Sequence, residues 1–213
     1  MFLLQLPLIE IAAWIIGFLL ALSVHEAAHA WVADLLGDPT ARLAGRVTLD
    51  PRAHLDPAGT LFLFFAGFGW GRPVPVHSHN FQHKIAGEIL TALAGPAANL
   101  IFAFLLALPL TFFFSIDSTL LTFLQTALYI NIALAVFNLI PVFPLDGGNM
   151  VAPLLPIRWQ DAFFHYGPIV LFSVIAIDWV FKTSILWSFL GPAIDIVYAV
   201  IMLATRFGGL SPL

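Results

Sequence analysis

The chain has 213 residues, of which 61% are hydrophobic and 9% are charged. This apolar excess excludes an ordinary soluble domain and is typical of a polytopic membrane protein, whose helices are apolar on their lipid faces as well as on their packing faces. The net charge of −4 is diffuse, so no basic block indicates a nucleic-acid partner, and the absence of cysteine excludes disulfides and thiolate metal ligands.

The first apolar segment, residues 8–36, is long enough to cross a bilayer as a helix. Residues 1–22 lack a positive n-region and run without a break into the rest of this segment, so we expect them not to be a removable signal peptide. Within the segment lies His25-Glu26-Ala27-Ala28-His29. The sequence therefore predicts a spanning helix with three ionisable side chains at membrane depth.

His25 and His29 are four residues apart, so a helix places both imidazoles on one face, where they can hold one metal ion. Glu26 then lies beside the open coordination position, as in a zinc hydrolase. The alternative is a chance pair of polar histidines, which is common on soluble helices. Ionisable groups at membrane depth are costly and rarely lack a partner or a task, and this favours the metal site.

A mixed region separates the first two spans. Alternation in residues 44–49 predicts a short strand. Residues 58–71 are apolar but too few to span, which indicates a re-entrant or interfacial piece or, equally well, a short core-packed element. Residues 71–76 contain two alternating prolines, which favour an edge strand or polyproline geometry.

The rest of the chain contains four more apolar spans. We expect an all-α polytopic membrane protein with about five transmembrane helices and a re-entrant or short-strand region between the first two. The chain is interpreted as one integral membrane domain, residues 1–213, with a catalytic core at about 8–150 and accessory helices at about 160–206. The later spans are predicted at residues 89–116, 118–145, 162–181 and 183–205.

Charge asymmetry predicts the orientation. With the N-terminus outside, seven of the eight basic residues lie in the cytoplasm and only Lys182 lies outside. His25 is then about 25 Å along the first helix, and Asn99 is about 15 Å from the cytoplasmic start of its helix. Asp146 follows at the cytoplasmic end of the third span. Three polar groups therefore reach one level, in the cytoplasmic half of the cell (inner) membrane.

A catalytic zinc with two histidines needs a third protein ligand. Asp146 is the best placed acidic residue, because Pro141 and Pro144 break the helix before it, and free backbone at membrane depth must line protein or a wet cavity. An ordinary turn at the membrane surface is the alternative reading of this segment. The other acidic candidates lie in the loop region or in the last two spans: Asp56, Glu88, Asp178 and Asp195.

The sequence resembles the site-2 protease family of intramembrane zinc metalloproteases, in its compact bacterial and archaeal form without a PDZ module. The His25 to His29 motif is similar to the first family motif, and Asn138-x-x-Pro141-x-x-Pro144-Leu145-Asp146-Gly147 is similar to the second. Residues 95–99 resemble the Gly-x-x-x-Asn element, and residues 50–60 and 69–76 resemble further family stretches. The resemblance covers roughly residues 20–150.

The resemblance implies that His25, His29 and Asp146 bind one Zn2+ and that Glu26 is the general base. Asn99 and Asn138 would be polar positioning groups for the substrate backbone or an oxyanion. The implied function is an endopeptidase in the lipid bilayer that cuts transmembrane segments of membrane proteins. Asn149 departs from the basic residue expected after the second motif.

Several residues and the function allow more than one interpretation. His54, next to Asp56, is either a further positioning group, a second metal ligand or a structural histidine near the mouth of the site, and His77, His79 and His83 are interpreted as solvated. The competing functions are a metal-ion transporter and a relative that binds membrane helices without cutting them. Glu26 favours the peptidase, because a transporter has no need of a base beside the metal. Residues 44–49 and 138–146 are hypothesised to pair with an unwound substrate.

Overall fold

A computed structural model describes residues 6–66, 69–113 and 116–208, and within these ranges the regular structure is helical. Among the described residues, five helices are long and apolar enough to cross a membrane, which confirms the predicted polytopic all-helical fold with about five spans. These five are α1 (Leu8–Leu35), α4 (Lys84–Phe112), α5 (Ser118–Asn138), α7 (Ile157–Phe181) and α8 (Ile185–Gly208). The short helices are α2 (Thr40–Leu43), α3 (Pro57–Ala66) and α6 (Asp146–Val151), with 3-10 turns at Pro51–Ala53, Ser78–Asn80 and Ala152–Leu154.

Helix ends differ from the predicted ones by a few residues. The second span begins at Lys84, five residues earlier than expected, and ends at Phe112, so the predicted end at Ile116 is too late; residues 114–115 lie outside the described ranges. The third span stops at Asn138. Residues 139–145 fold into turns instead, because neither Pro141 nor Pro144 can donate a helical hydrogen bond. This early stop lets the chain reverse towards α1.

Helices α1, α4 and α5 form the core of the protein. Fully buried alanines lie on all three, among them Ala21, Ala103 and Ala135, and small side chains allow membrane helices to approach closely. Helix α8 packs on α4 and α5, and its residues Ile194 and Ile201 belong to one apolar cluster with Ala103 of α4. Helix α7 lies at the periphery, and Leu171 is its one buried residue.

The strand predicted for residues 44–49 is wrong. Gly45 has φ 69°, a left-handed conformation that ends α2, and Arg46 N donates to Ala41 O at 2.9 Å across this turn. Thr48 N then donates to Arg46 O, so the chain turns again. The alternation of polar and apolar residues here is therefore not the sign of a sheet. Its polar residue Arg46 is buried, at 5% exposed, and the residues on either side of it are exposed.

The predicted interfacial piece is a short helix with two different faces. In α3, Leu63 packs against Phe18 and Leu22 of α1, whereas Leu61 and Phe62 are exposed. Residues 67–68 of the predicted 58–71 segment lie outside the described ranges. The predicted extended segment, residues 71–76, contains no helix or turn, and Gly71 pairs with Leu55 in an isolated antiparallel bridge.

Candidate metal centre

Three potential ligands from distant parts of the chain meet at the inner surface of α1. His25 and His29 are 4% and 8% exposed, and their ring centroids are 4.6 Å apart. Asp146, the first residue of α6, brings Oδ2 to 3.0 Å from His25 Nε2 and 3.3 Å from His29 Nε2. In the described ranges this is the one group of three or more His, Cys, Asp or Glu residues with ligand atoms close together, all within 4.8 Å.

The second nitrogen of His25 is held by α4. Asn99 is fully buried, and its Oδ1 lies 2.6 Å from His25 Nδ1. Asn99 Nδ2 donates to Ala21 O at 2.9 Å and to Asn131 Oδ1 at 2.8 Å. Because an amide oxygen can only accept, His25 Nδ1 carries the proton and donates to Asn99.

The second nitrogen of His29 is held by the main chain of the same helix. His29 Nδ1 lies 2.7 Å from Thr91 O, which can only accept, so this nitrogen also carries the proton. Pro96 lies inside α4 and has no N–H to donate to the carbonyl of Ala92. The carbonyl of Thr91, one residue before Ala92, accepts from His29.

The donor set fits a metal ion. A neutral imidazole carries one proton, and each ring keeps its proton on Nδ1, so both Nε2 lone pairs face Asp146 Oδ2 with no hydrogen between them. Among the described residues Asp146 Oδ2 accordingly has no hydrogen-bond partner, despite the short distances. A cation satisfies all three atoms together. Two histidines and one carboxylate, with a cavity in front of them, match the three protein ligands of a catalytic zinc site.

Gly95 gives the two rings their space against α4. A Cβ at this position would lie 2.4 Å from His29 Nε2 and 2.7 Å from His25 Cε1. Any side chain would therefore occupy the region in front of the imidazole nitrogens. The glycine of the Gly-x-x-x-Asn element is required by this close approach, and the asparagine by its bond to His25.

Glu26 lies at the wall of a cavity of about 960 Å3 that also contains His25, His29 and Asp146. The extended segment passes beside Glu26, since a Cβ on Gly71 would lie 3.3 Å from Glu26 Oε1. Arg46 holds this segment by donating to Pro73 O at 2.9 Å and to Arg72 O at 2.5 Å. Burial lowers the pKa of the Arg46 guanidinium below its ordinary value, and the nearby Glu26 carboxylate opposes this effect.

The other predicted site residues have different surroundings. Asn138 lines the cavity, and its Nδ2 donates to Leu134 O in its own helix at 2.9 Å. His54 is fully buried, contacts Thr48 O through Nε2 at 2.7 Å and does not line the cavity. It lies behind the extended segment, where its own carbonyl accepts from Arg72 N. Asn149 lines the cavity as well. His77 and His79 do not line it, and their ring centroids are 5.5 Å apart.

Sequence reasoning missed three residues that shape this site. Arg46 was counted only as a basic loop residue that indicates orientation. Asn131 is linked to His25 through Asn99, and nothing in the sequence marks this link. Thr91 acts through its carbonyl, and the residue type carries no signal for such a contact. Pro96, directly after Gly95, was the one sign in the sequence of a missing main-chain hydrogen bond close to Thr91.

Comparison with known proteins identifies the family. Residues 113–177 match the family model "Peptidase family M50". The chain is 38% identical over 158 residues to "Putative zinc metalloprotease YwhC" of Bacillus subtilis, a match that covers 70% of this chain and 72% of that protein. It is 34% identical to "Putative zinc metalloprotease Rip2" of Mycobacterium tuberculosis over 153 residues, 70% of this chain and 59% of that protein.

A shorter match, 36% identity over 69 residues, links the chain to "Zinc metalloprotease MJ0392" of Methanocaldococcus jannaschii and covers 32% of this chain and 20% of that protein. No solved structure matches the chain. The long match to YwhC, the M50 family model and the buried His25, His29 and Asp146 cluster in a five-span helical fold agree with one another. The chain therefore belongs to peptidase family M50, the site-2 protease family of intramembrane zinc metalloproteases.

Proposed function

We propose that the protein is an intramembrane zinc endopeptidase in which His25, His29 and Asp146 hold the metal and Glu26 is the general base. The observation that carries this proposal is the meeting of two bare Nε2 atoms and one unpartnered carboxylate oxygen in a cavity that Glu26 also lines. Family membership supports zinc as the metal. The family and the names of its relatives favour a peptidase over a metal-ion transporter.

Zinc bound at this site would supply Lewis-acid polarisation of a water molecule and of the scissile carbonyl. Glu26 takes the proton of the attacking water on its carboxylate and passes it to the leaving amine as the peptide bond breaks. Gly71 has no side chain that could crowd the Glu26 carboxylate. Asn99 is fully engaged with His25, Ala21 and Asn131, so we assign it to positioning His25 and not to an oxyanion. Asn138 remains the candidate for contact with the substrate.

The proposed substrate is a transmembrane segment of another membrane protein. The cavity is mostly apolar, with walls from Leu22, Phe137, Phe164 and Phe172. An apolar helix in such a cavity must unwind locally before attack, because its peptide bonds are otherwise hidden in hydrogen bonds. Residues 44–49 turn, so they no longer support the hypothesis of strand pairing, and residues 139–145 also form turns.

We further propose that the protein lies in the cell (inner) membrane with its N-terminus outside and its active site in the cytoplasmic half. Helix α1 begins at Leu8, so His25 lies about 25 Å along it, beyond the middle of a 30 Å hydrocarbon layer. The observed helix ends leave the basic residues divided as the positive-inside rule requires, with Lys182 alone in the opposite loop. We also propose that residues 8–150 form the catalytic core of one domain.

The test compares wild type with Glu26→Gln and with Glu10→Gln, a matched change in the first turn of the same helix. Each protein is purified, its zinc content is measured, and it is incubated in liposomes with a panel of single-span peptides that carry a glycine pair within the span. We expect equal zinc in all three proteins, and cleavage by Glu26→Gln reduced about 100-fold or more, because general-base catalysis contributes at least this much.

Two outcomes would overturn the proposal. One is cleavage by Glu26→Gln at the rate of Glu10→Gln, which would remove the general base. The other is uptake of zinc into the liposomes by wild type and Glu26→Gln alike, without peptide cleavage, which would favour the transporter.

A further inference from the structure

A line of three polar side chains crosses the helical core and ends at His25. It begins on α5, where Asn131 Nδ2 donates to Ala127 O at 2.8 Å, and it crosses to α4, where Asn99 Nδ2 donates to Asn131 Oδ1 at 2.8 Å. It reaches α1 through Asn99 Oδ1 and His25 Nδ1, at 2.6 Å. Asn131 and Asn99 are fully buried, so the line has no water to replace a lost partner.

The direction of every hydrogen bond in this line follows from its ends. Ala127 O is a main-chain carbonyl and only accepts, so Asn131 must present its NH2 group to it and its oxygen to Asn99. That oxygen takes one hydrogen of Asn99 Nδ2, and Ala21 O takes the other. The oxygen of Asn99 is thereby left for His25, and His25 must keep its proton on Nδ1.

The reverse orientation of Asn99 would prevent metal binding. If its NH2 group faced His25, then Nδ1 would have to accept and the proton of the neutral ring would move to Nε2, the atom that faces Asp146. A protonated Nε2 has no lone pair for a metal. Asn131 supplies one of the two acceptors that disfavour this reversal, although it touches neither His25 nor the metal site.

We propose that Asn131 is a positioning residue for the zinc site: through Asn99 it fixes the tautomer of His25 and keeps Nε2 available as a ligand. This inference rests on the proposed function in taking zinc as the ligand of His25. It concerns metal affinity and not the chemical step, so it can be tested without a substrate.

The experiment measures zinc affinity by competition with a chromophoric chelator, on full-length protein in detergent. Asn131→Leu removes the acceptor at similar volume. Asn131→Asp, buried as a protonated carboxyl group, can donate its O–H to Ala127 O and keeps its other oxygen facing Asn99. Thr205→Val is the matched control, because it removes the hydrogen bond between Thr205 Oγ1 and Thr111 Oγ1 at 2.9 Å. This bond also joins side chains of two helices, and Thr205 is fully buried. The thermal midpoint of each metal-free protein is measured in parallel.

We expect Asn131→Leu to bind zinc about tenfold more weakly than wild type, the lower end of the loss found for outer-shell partners. Asn131→Asp should restore most of this affinity, and Thr205→Val should lower the thermal midpoint without changing zinc affinity. Wild-type affinity in Asn131→Leu would overturn the proposal, as would equal loss in Asn131→Leu and Thr205→Val. Failure of the peptidase test would leave these affinities unaffected, so the two proposals fail separately.

Discussion

Gly95→Ala is the smallest change that should empty the proposed metal site. The added methyl carbon would lie 2.4 Å from His29 Nε2 and 2.6 Å from His29 Cε1, whereas ordinary contact begins at 3.4 Å. The ring of His29 must therefore withdraw by about 1 Å, five times the roughly 0.2 Å tolerance of metal-ligand distances. Since a lost outer-shell partner alone weakens metal binding by 10 to 100-fold, we expect zinc affinity to fall by at least about 100-fold.

We expect Gly95→Ala not to destabilise helix α4 itself. Alanine is favoured over glycine inside a helix by about 1 kcal/mol, so α4 is not weakened by its composition. Gly191→Ala in α8 is the control for this effect, because a Cβ there would meet Trp187 Nε1 at an ordinary 3.5 Å. Both variants carry the same chemical change in a spanning helix, and only one of them faces the histidines.

The assay measures zinc per chain after purification, zinc affinity by chelator competition, and helix content by circular dichroism. We expect Gly95→Ala to keep its helix content and to contain little zinc, while Gly191→Ala matches wild type in both. One equivalent of zinc held by Gly95→Ala as tightly as by Gly191→Ala would refute the reasoning. The two imidazoles would then not face α4 as described.

Two further predictions concern the loops beside the site. Arg46→Lys keeps the charge but loses the planar pair of nitrogens that donate separately to Arg72 O and Pro73 O. We expect kcat/KM on the peptide panel to fall about tenfold at unchanged zinc content, the cost of one charged hydrogen bond. Unchanged kcat/KM would contradict a role of Arg46 in holding the cavity wall. Burial raises the pKa of Asp38, but donors from His77 N, Thr40 and Asn80 outweigh burial and lower it from 3.8 to about 2. The stability that Asp38 contributes is therefore complete above about pH 4 and is lost as the pH falls through 2. We expect the difference in thermal midpoint between wild type and Asp38→Asn to become smaller over that pH interval. A constant difference would contradict this assignment.

Much of the fold could be predicted because helices that face lipid must have an apolar composition. Each spanning helix is apolar on nearly all sides, so its position follows from hydropathy, and its ends were missed by only a few residues. Pro141 and Pro144 indicated the break after the third span, although helix α5 ends at Asn138, before either proline. The short region between α1 and α4 was harder, because alternation in residues 44–49 reflects one buried arginine and not a sheet.

The site was predictable where its residues carry chemistry and hidden where they act through shape or backbone. His25, His29 and Asp146 have ligand side chains, and the structure brings them together; their role as zinc ligands stays a proposal. The carbonyl of Thr91 could come from any residue type, so no pattern marks it. The need for glycine at position 95 becomes visible only in the structure, where two imidazole rings lie against it. The role of Asn131 likewise becomes visible only when Asn99 is seen between Asn131 and His25.

The two histidines and Asp146 are encoded on opposite sides of α4 and α5. Both imidazoles are synthesised well before the carboxylate that lies against them, and the partners of their other nitrogens also come from α4. A nascent chain therefore lacks one of the three proposed metal ligands until its third span has been made and the chain has turned back towards α1.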